Sequence, residues 1–572
     1  MERKTAAIVA IAAIALAGWA MPADAIASPG EDVRAFCERR YLTEEAADRR
    51  PPVPALSVIA PPAPGSTPTP PPPAPTFMQS RGGQPAPVMP LPDREQYPEV
   101  DPNPVNSAFE DPVSTFSLDV DTASYSNVRR FLRDGGLPPR DAVRTEELVN
   151  YFDYDYPLAE DRTAPFRPTV AVHPTPWNAA TRILHIGLRG FDLEREERPP
   201  ANLVFLMDVS GSMSSRDKLP LAKAAICLLV HELDARDRVA LVVYAGAAGA
   251  VLEPTSGTER ETILTALDRL EAGGSTAGGE GIAVAYELAR ANFVEEASNR
   301  IILTSDGDFN VGIADPRRLG DFVARERESG VYLTVLGFGG GNYNDTMMQR
   351  LAQLGNGAAA YIDDLDEAHR VLVEKMTGSL FTIAKDVKVQ VEFNPDQVKE
   401  YRLIGYETRL LRREDFTNDA VDAGEVGAGH SVTALYEYVP AGSDGGLLEP
   451  LRYAPQAGTP EGRSAEIAYL RIRYKLPGES ESRSIERAIT AADAVGELAD
   501  ASADMRFAAA VAGFSQLLRG EPYVRDGFGY DSVVELASTA AGEDPFREGF
   551  IELAKQAAAA GNLDMKRHRK RQ

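Results

Sequence analysis

Asp208, Ser210 and Ser212 fall at every second position of the chain, with Gly211 between the two serines. One carboxylate and two hydroxyls are hard oxygen donors of the kind Mg2+ accepts, or Ca2+ or Mn2+ in its place, and nothing in the cluster is soft enough to select zinc or copper. Two later segments carry the same chemistry. Gly273-Gly274-Ser275-Thr276 brings the Thr276 hydroxyl, and Ser305-Asp306-Gly307-Asp308 brings Asp306 as a second carboxylate. A lone D-x-S-x-S is ordinary turn and N-cap chemistry. Three such segments in order, placed where strands end, make a cation-binding pattern.

The elements around these residues say how they would be positioned. Leu203 to Met207 form a continuous apolar run, which suits a strand buried on both faces of a parallel sheet. Its carboxyl end is the edge where open α/β sheets put their ligands. Further buried strands read at Val239 to Tyr244, Ile301 to Thr304 and Tyr332 to Leu336, with helices between them, among them Glu280 to Asn292 and Pro316 to Arg327. The pattern from about 200 to 380 therefore predicts a doubly wound, mostly parallel sheet covered by helices.

At this point DVSGSM, the threonine of GGST and the aspartate of TSDG resemble the metal-ion-dependent adhesion site of a von Willebrand factor A domain. The resemblance implies that Asp208, Ser210, Ser212, Thr276 and Asp306 hold the metal directly or through water. It also implies that a partner protein fills the remaining coordination position with an Asp or Glu.

Flanking segments extend the likeness. Asp111 to Phe116 and Tyr151 to Pro157 resemble the N-terminal A-domain-associated segment of bacterial YfbK-type proteins, and Gly427 to Tyr438 with the helical end resembles the C-terminal domain of the same family. Alternation at Val387, Val389, Val391 and Phe393, with further strands at Thr169 to His173, Arg182 to Arg189, Ser431 to Tyr438 and Ile467 to Tyr474, predicts a β-rich, sandwich-like domain. A two-strand hairpin is barely stable alone. The strands before and after the A domain are therefore expected to pair, making the A domain an insertion. Residues 484–560 read as helical, with Phe507, Val511, Phe514 and Leu518 on one face and Phe546, Phe550 and Leu553 on another.

Before residue 93 the composition changes. Arg3 and Lys4, the apolar stretch Thr5 to Ala20 and a small-x-small site at Ala23 to Ala27 make residues 1–27 an expected export signal, with a retained membrane anchor as the alternative. Trp19 stands where a lipoprotein signal would need cysteine. Residues 51–90 hold 15 of the 42 prolines. The whole of 28–92 thus reads as an extended linker that gives reach. The region 93–166 reads as a small structured unit, 167–199 and 381–483 as β-rich, and 561–572 as a disordered basic tail. Asp119, Asp121 and Ser124 echo the metal motif, but without later companions they read as strand-end and capping residues.

The chemistry that is missing narrows the function. A net charge of −25 disfavours nucleic acid. His231-Glu232 opens like a zinc-protease helix, but Ala235 stands where the second histidine belongs, and there is neither a phosphate loop nor a nucleophile elbow. The two cysteines, Cys37 and Cys227, fall in different modules. Cys227 reads as a buried thiol, with no disulfide assumed. The resulting expectation is a non-enzymatic, metal-dependent adhesion or interaction module in the periplasm or cell envelope. A metal-free assembly scaffold and an uncharacterised carboxylate enzyme are the competing classes.

Overall fold

The computed structural model describes residues 32–43, 94–118, 120–159, 163–193, 196–245, 248–273, 278–307, 315–375, 378, 380–421, 423–449, 465–525 and 527–571. The expected export signal, Asp119, Thr276 and all of the proline-rich stretch 51–90 lie outside them. The strand Ala201–Asp208 is buried at every position and lies at the centre of a six-stranded sheet. The order is Ala359–Ile362, Tyr332–Phe338, Ser298–Ser305, Ala201–Asp208, Arg238–Tyr244 and Ala248–Ser256, all parallel except the last pair. Helices cover both faces over two apolar layers. The edge strand Ala248–Ser256 was missed in the sequence because its apolar part, Ala248 to Leu252, is short, small and glycine-containing, and Glu253 and Pro254 follow at once.

A β-sandwich is completed on both sides of this domain. One sheet orders Asn106–Ser107, Val398–Ile404, Ser431–Pro440, Asn178–Arg189 and Thr169–Thr175, so strands from before and after the A domain pair directly. In the other, Thr382–Phe393 pairs with Glu466–Lys475 on one edge and with Val113–Ser117 and Gly424–Gly427 on the other, and Ser482–Thr490 follows. The segments 387–393 and 467–474 thus face the first sheet across the core instead of joining it. Their alternating apolar residues point inward and fill the space between the sheets. The helices Ala503–Arg519, Tyr530–Ser538 and Pro545–Arg571 pack on Ala123–Arg133 and Thr145–Val149 around Tyr125, Tyr151, Phe152, Phe507 and Phe550. The expected disordered tail is corrected here, because the backbone helix runs through to Arg571.

Buried arginines fasten the inserted domain. Arg129 donates to Asp363 at 2.8 Å, to Glu367 at 2.9 Å and to the Tyr151 hydroxyl at 2.9 Å. Arg144 bridges Glu147 and Asp345, at 3.1 and 3.2 Å through Nη2. Asp121 accepts the Ala359 amide at 2.8 Å and Arg409 at 3.1 Å, while Ser124 donates to the Ala142 carbonyl at 2.6 Å. Each ties distant segments together, and neither caps the helix Ala123–Arg133, whose N-cap is Thr122, so the capping role expected of them is corrected.

Two expectations about the N-terminal region are corrected. Residues Val33–Tyr41, inside the expected linker, form a helix capped by Asp32 and packed on Leu219–Glu232. Cys37 and Cys227 form a disulfide across this contact, so Cys227 is no free thiol. The helix supplies the apolar Phe36 and its C-cap supplies Leu42 to the A-domain core, and the helix arginines pair with acidic residues of that domain, Arg34 with Asp366 and Arg40 with Asp268. On the far side of the proline-rich stretch, the Arg94 and Gln96 amides donate to the Gly341 and Tyr343 carbonyls at 3.1 and 2.9 Å. Both ends of that stretch are therefore fixed to the same domain, and it does not hold the domain at a distance.

Loss of the disulfide, by Cys37→Ser or by reductant, is expected to lower stability by roughly 2–4 kcal/mol. It should also open residues 32–43 to protease. Denaturant unfolding and limited proteolysis with and without reductant check this, and identical behaviour in both would refute it. A pH dependence is built into the sandwich as well. His185, fully buried and hydrogen-bonded to the Tyr156 hydroxyl at 2.7 Å, is held down to about 3, first by burial and then by nearby His173. The unfolded chain takes up this proton below about 6.5 and the folded chain does not, so the contribution is full above that pH and is lost as pH falls toward 3. Between pH 6.5 and 5 the loss is about 2 kcal/mol. His185→Gln should flatten the dependence of unfolding free energy on pH in that window, and an unchanged slope would show that His185 is not its source.

Candidate metal centre

The position of Asp208 follows from the order of the sheet. After Ala201–Asp208 the chain crosses to Arg238–Tyr244 on one side, while the strand on its other side, Ser298–Ser305, continues outward to Tyr332–Phe338. The connections therefore diverge between the two central strands, and such a switch point opens a crevice at the carboxyl ends of the strands. Asp208 ends one strand, and Asp306 directly follows the other.

The loop after Asp208 is held by its own residues. The Val209 amide continues the ladder to the Tyr244 carbonyl at 3.1 Å, and the Ser210 amide donates to Asp208 Oδ1 at 2.9 Å. A 3-10 turn, Gly211–Ser214, follows, and the fully buried Met213 pins it to the core. The Ser210 and Ser212 hydroxyls lie 3.0 Å apart. On the other strand Ser305 donates to Asp208 Oδ2 at 3.2 Å, so the two strand ends are joined through a hydroxyl. Gly307, at φ +95°, turns the backbone against Tyr343 and Asn344, where a Cβ would overlap the Asn344 amide.

Asp208, Ser210, Ser212 and Asp306 thus come together at one sheet edge. Thr276 lies outside the described residues. The loop leading to it is tied to the site, since the Gly273 amide donates to the Val209 carbonyl at 2.7 Å.

Sequence reasoning missed three further side chains. Ser305 is the hydroxyl just described. Lys218 and Asn342 complete a second cluster, with Lys218 Nζ donating to Asp306 Oδ2 and to Asn342 Oδ1, both at 2.9 Å. The run Gly339-Gly340-Gly341-Asn342, directly after Tyr332–Phe338, was the available signal, because a third strand ends there on the same edge.

The two carboxylates live in different electrostatic environments. Asp208 is completely buried, and among the described residues it accepts hydrogen bonds from an amide and a hydroxyl but pairs with no cation. Burial first, with the neighbouring Asp306 charge adding to it, raises its carboxyl to about 6. Burial would raise Asp306 too, yet the Lys218 ammonium, with Asn342 and Ser212, more than offsets this and holds it below the usual range. A buried carboxylate without a counter-charge is costly. A divalent cation among hard oxygens would supply that charge, so the donor set fits one. Among the described residues, Asp208, Ser210, Ser212 and Asp306 would hold it.

Comparison with known proteins follows the same division of the chain. Residues 202–374 match the family model of the von Willebrand factor type A domain, residues 91–185 a model described as von Willebrand factor, and residues 378–560 the model of the C-terminal region of uncharacterized protein YfbK. The Escherichia coli (strain K12) protein described as uncharacterized protein YfbK is 44% identical over 490 residues, covering 84% of each chain. Human inter-alpha-trypsin inhibitor heavy chain H4 is 32% identical over 179 residues, 30% of this chain and 19% of that protein. A solved structure, the von Willebrand factor type A protein from Catenulispora acidiphila, is 16% identical, covers 68% of this chain and 90% of that one, and superposes with a TM-score of 0.38. With its A domain set between the two flanking regions, and with close likeness along most of its length to the Escherichia coli protein, the chain belongs to the YfbK family of von Willebrand factor A-domain proteins.

Proposed function

We propose that this protein is a metal-dependent protein-recognition module acting outside the cytoplasm, in which a divalent cation, Mg2+ or else Ca2+ or Mn2+, takes up an Asp or Glu side chain of a partner. The observation that carries the reading is Asp208, a fully buried carboxylate with no cationic partner among the described residues, at the switch point of the sheet. The cation, when bound, supplies a positive charge for an anionic ligand. The chain's own residues do the rest. Asp208 and Asp306 provide the charge, Ser210, Ser212 and Thr276 provide neutral oxygens, and the Ser305 hydroxyl fixes the orientation of Asp208. The family placement favours an interaction module over an enzyme. The Cys37–Cys227 disulfide favours an oxidising compartment, which agrees with the export signal read at residues 1–27.

One observation favours the scaffold reading instead. Lys218 already neutralises Asp306, so half of the carboxylate charge is compensated without metal.

Asp208→Ala separates the two readings. The strand beneath it is buried through its own apolar side chains, so circular dichroism should be unchanged. Calorimetric titration with Mg2+ or Mn2+ should show affinity falling at least tenfold, because hydroxyls compete poorly with water for these ions. Capture of partners from an envelope extract should be lost in the variant and in chelated wild type alike. Partners retained at full strength in both would establish the scaffold. Fractionation that finds uncleaved chain in the cytosol would refute export, and uncleaved chain in the membrane would point to a retained anchor.

A further inference from the structure

Lys218 is the last residue before the helix Leu219–Glu232, and its position is fixed along its whole length. Its stem lies across Gly339, a residue at φ +69° where any Cβ would overlap the lysine carbons. Its ammonium sits between Asp306 Oδ2 and Asn342 Oδ1, and its side chain is 9% exposed. Burying a lysine is expensive unless it is paired, and this one, held on three sides and paired with Asp306, is fixed in place beside the ligand crevice.

The charge count has a consequence for the ligand. Asp208 and Asp306 carry two negative charges, and Lys218 cancels one. A divalent cation added to this set leaves one positive charge in a site walled by buried strand ends. If Lys218 were absent, the same cation would be neutralised by the two aspartates, and a water or carbonyl oxygen would serve as well as an anion in the last position. We propose that Lys218 is the charge-setting residue of the centre: it weakens binding of the cation alone and makes tight binding depend on an anionic ligand arriving with it. This rests on the cation reading given above and adds what selects the partner. An acidic side chain is favoured over a neutral oxygen because the loaded centre is short of one negative charge. In a low-dielectric crevice that imbalance weighs far more than it would in water.

The test uses the full chain, Mn2+ as the metal, and acetate as the anionic probe with acetamide as its neutral counterpart. For wild type, saturating acetate should tighten Mn2+ binding at least tenfold and acetamide should not. In Lys218→Met, Mn2+ alone should bind at least tenfold more tightly than in wild type, and the enhancement by acetate should fall below twofold. Lys218→Gln, which keeps a hydrogen-bond donor for Asp306 without its charge, should behave in the same way and serves if the methionine variant does not fold. A lysine with only a structural role would lower thermal stability in both variants while leaving the acetate dependence intact, and that result overturns the proposal. If wild type and both variants fail to bind Mn2+ with or without acetate, the cation reading falls and this inference falls with it. If wild type binds and the variants match it in affinity and acetate response, only the role of Lys218 is refuted.

Discussion

Everything around the crevice depends on one strand being hydrogen-bonded on both sides and covered on both faces. Ala201–Asp208 exchanges parallel ladders with Arg238–Tyr244 and Ser298–Ser305, and no residue in it reaches solvent. A strand so enclosed has nowhere to put a polar side chain except at its end. Asp208 takes that place, and its burial follows from the strand that carries it. The burial in turn creates the demand for positive charge. Asp306 arises in the same way on the neighbouring strand, but a lysine from the helix start meets its demand internally. The asymmetry between the two aspartates is thus a product of topology and of one side chain, Lys218.

The inserted domain is kept in register with the rest of the chain by charge buried between them. Arg129, Arg144 and Arg370 each reach from one module into the other, to Asp363 and Glu367, to Asp345, and to the Tyr151 carbonyl. Arg370 also lies over the Tyr151 ring, 3.7 Å from its centre. Such groups are costly to desolvate and costly to separate once paired. The aromatic cluster of Tyr125, Tyr151 and Phe152 with Phe507 and Phe550 supplies the apolar part, joining the region before the A domain to the C-terminal helices.

What could be read from the sequence was what depends on local pattern. The apolar run at Leu203 to Met207 announced a doubly buried strand, which is present, whereas the alternation from Val387 to Phe393 announced a strand with one wet face and the structure corrects this, burying Lys388 and Gln390 as well and leaving only Glu392 exposed. Asp208, Ser210, Ser212 and Asp306 could be collected because each follows a strand signal directly. Lys218 could not, since a lysine six residues after a serine resembles any solvated helix start, and only the glycine at 339 makes room for its stem. Sheet membership was also beyond local pattern. Val387 to Phe393 and Ser431 to Tyr438 have similar alternation, yet they belong to opposite sheets. Alternation says which residues share a face of a strand and not which neighbour or cover that face will have.

The disulfide was the least legible feature and changes the meaning of the longest unpatterned stretch. Two cysteines 190 residues apart, one of them before a proline-rich run, gave no reason to meet. They meet because a nine-residue helix carries Phe36 into the A-domain core and matches its arginines to acidic residues on that surface. The covalent bond then fixes what those contacts select. Whatever precedes Asp32 is consequently attached to the A domain at the Cys37 bond, beside the helix that starts at the crevice, and not at Arg94 on the far side of the prolines. Fifty residues of extended chain could span more than 150 Å, yet with both ends on one domain none of that length separates the domain from the N-terminal segment.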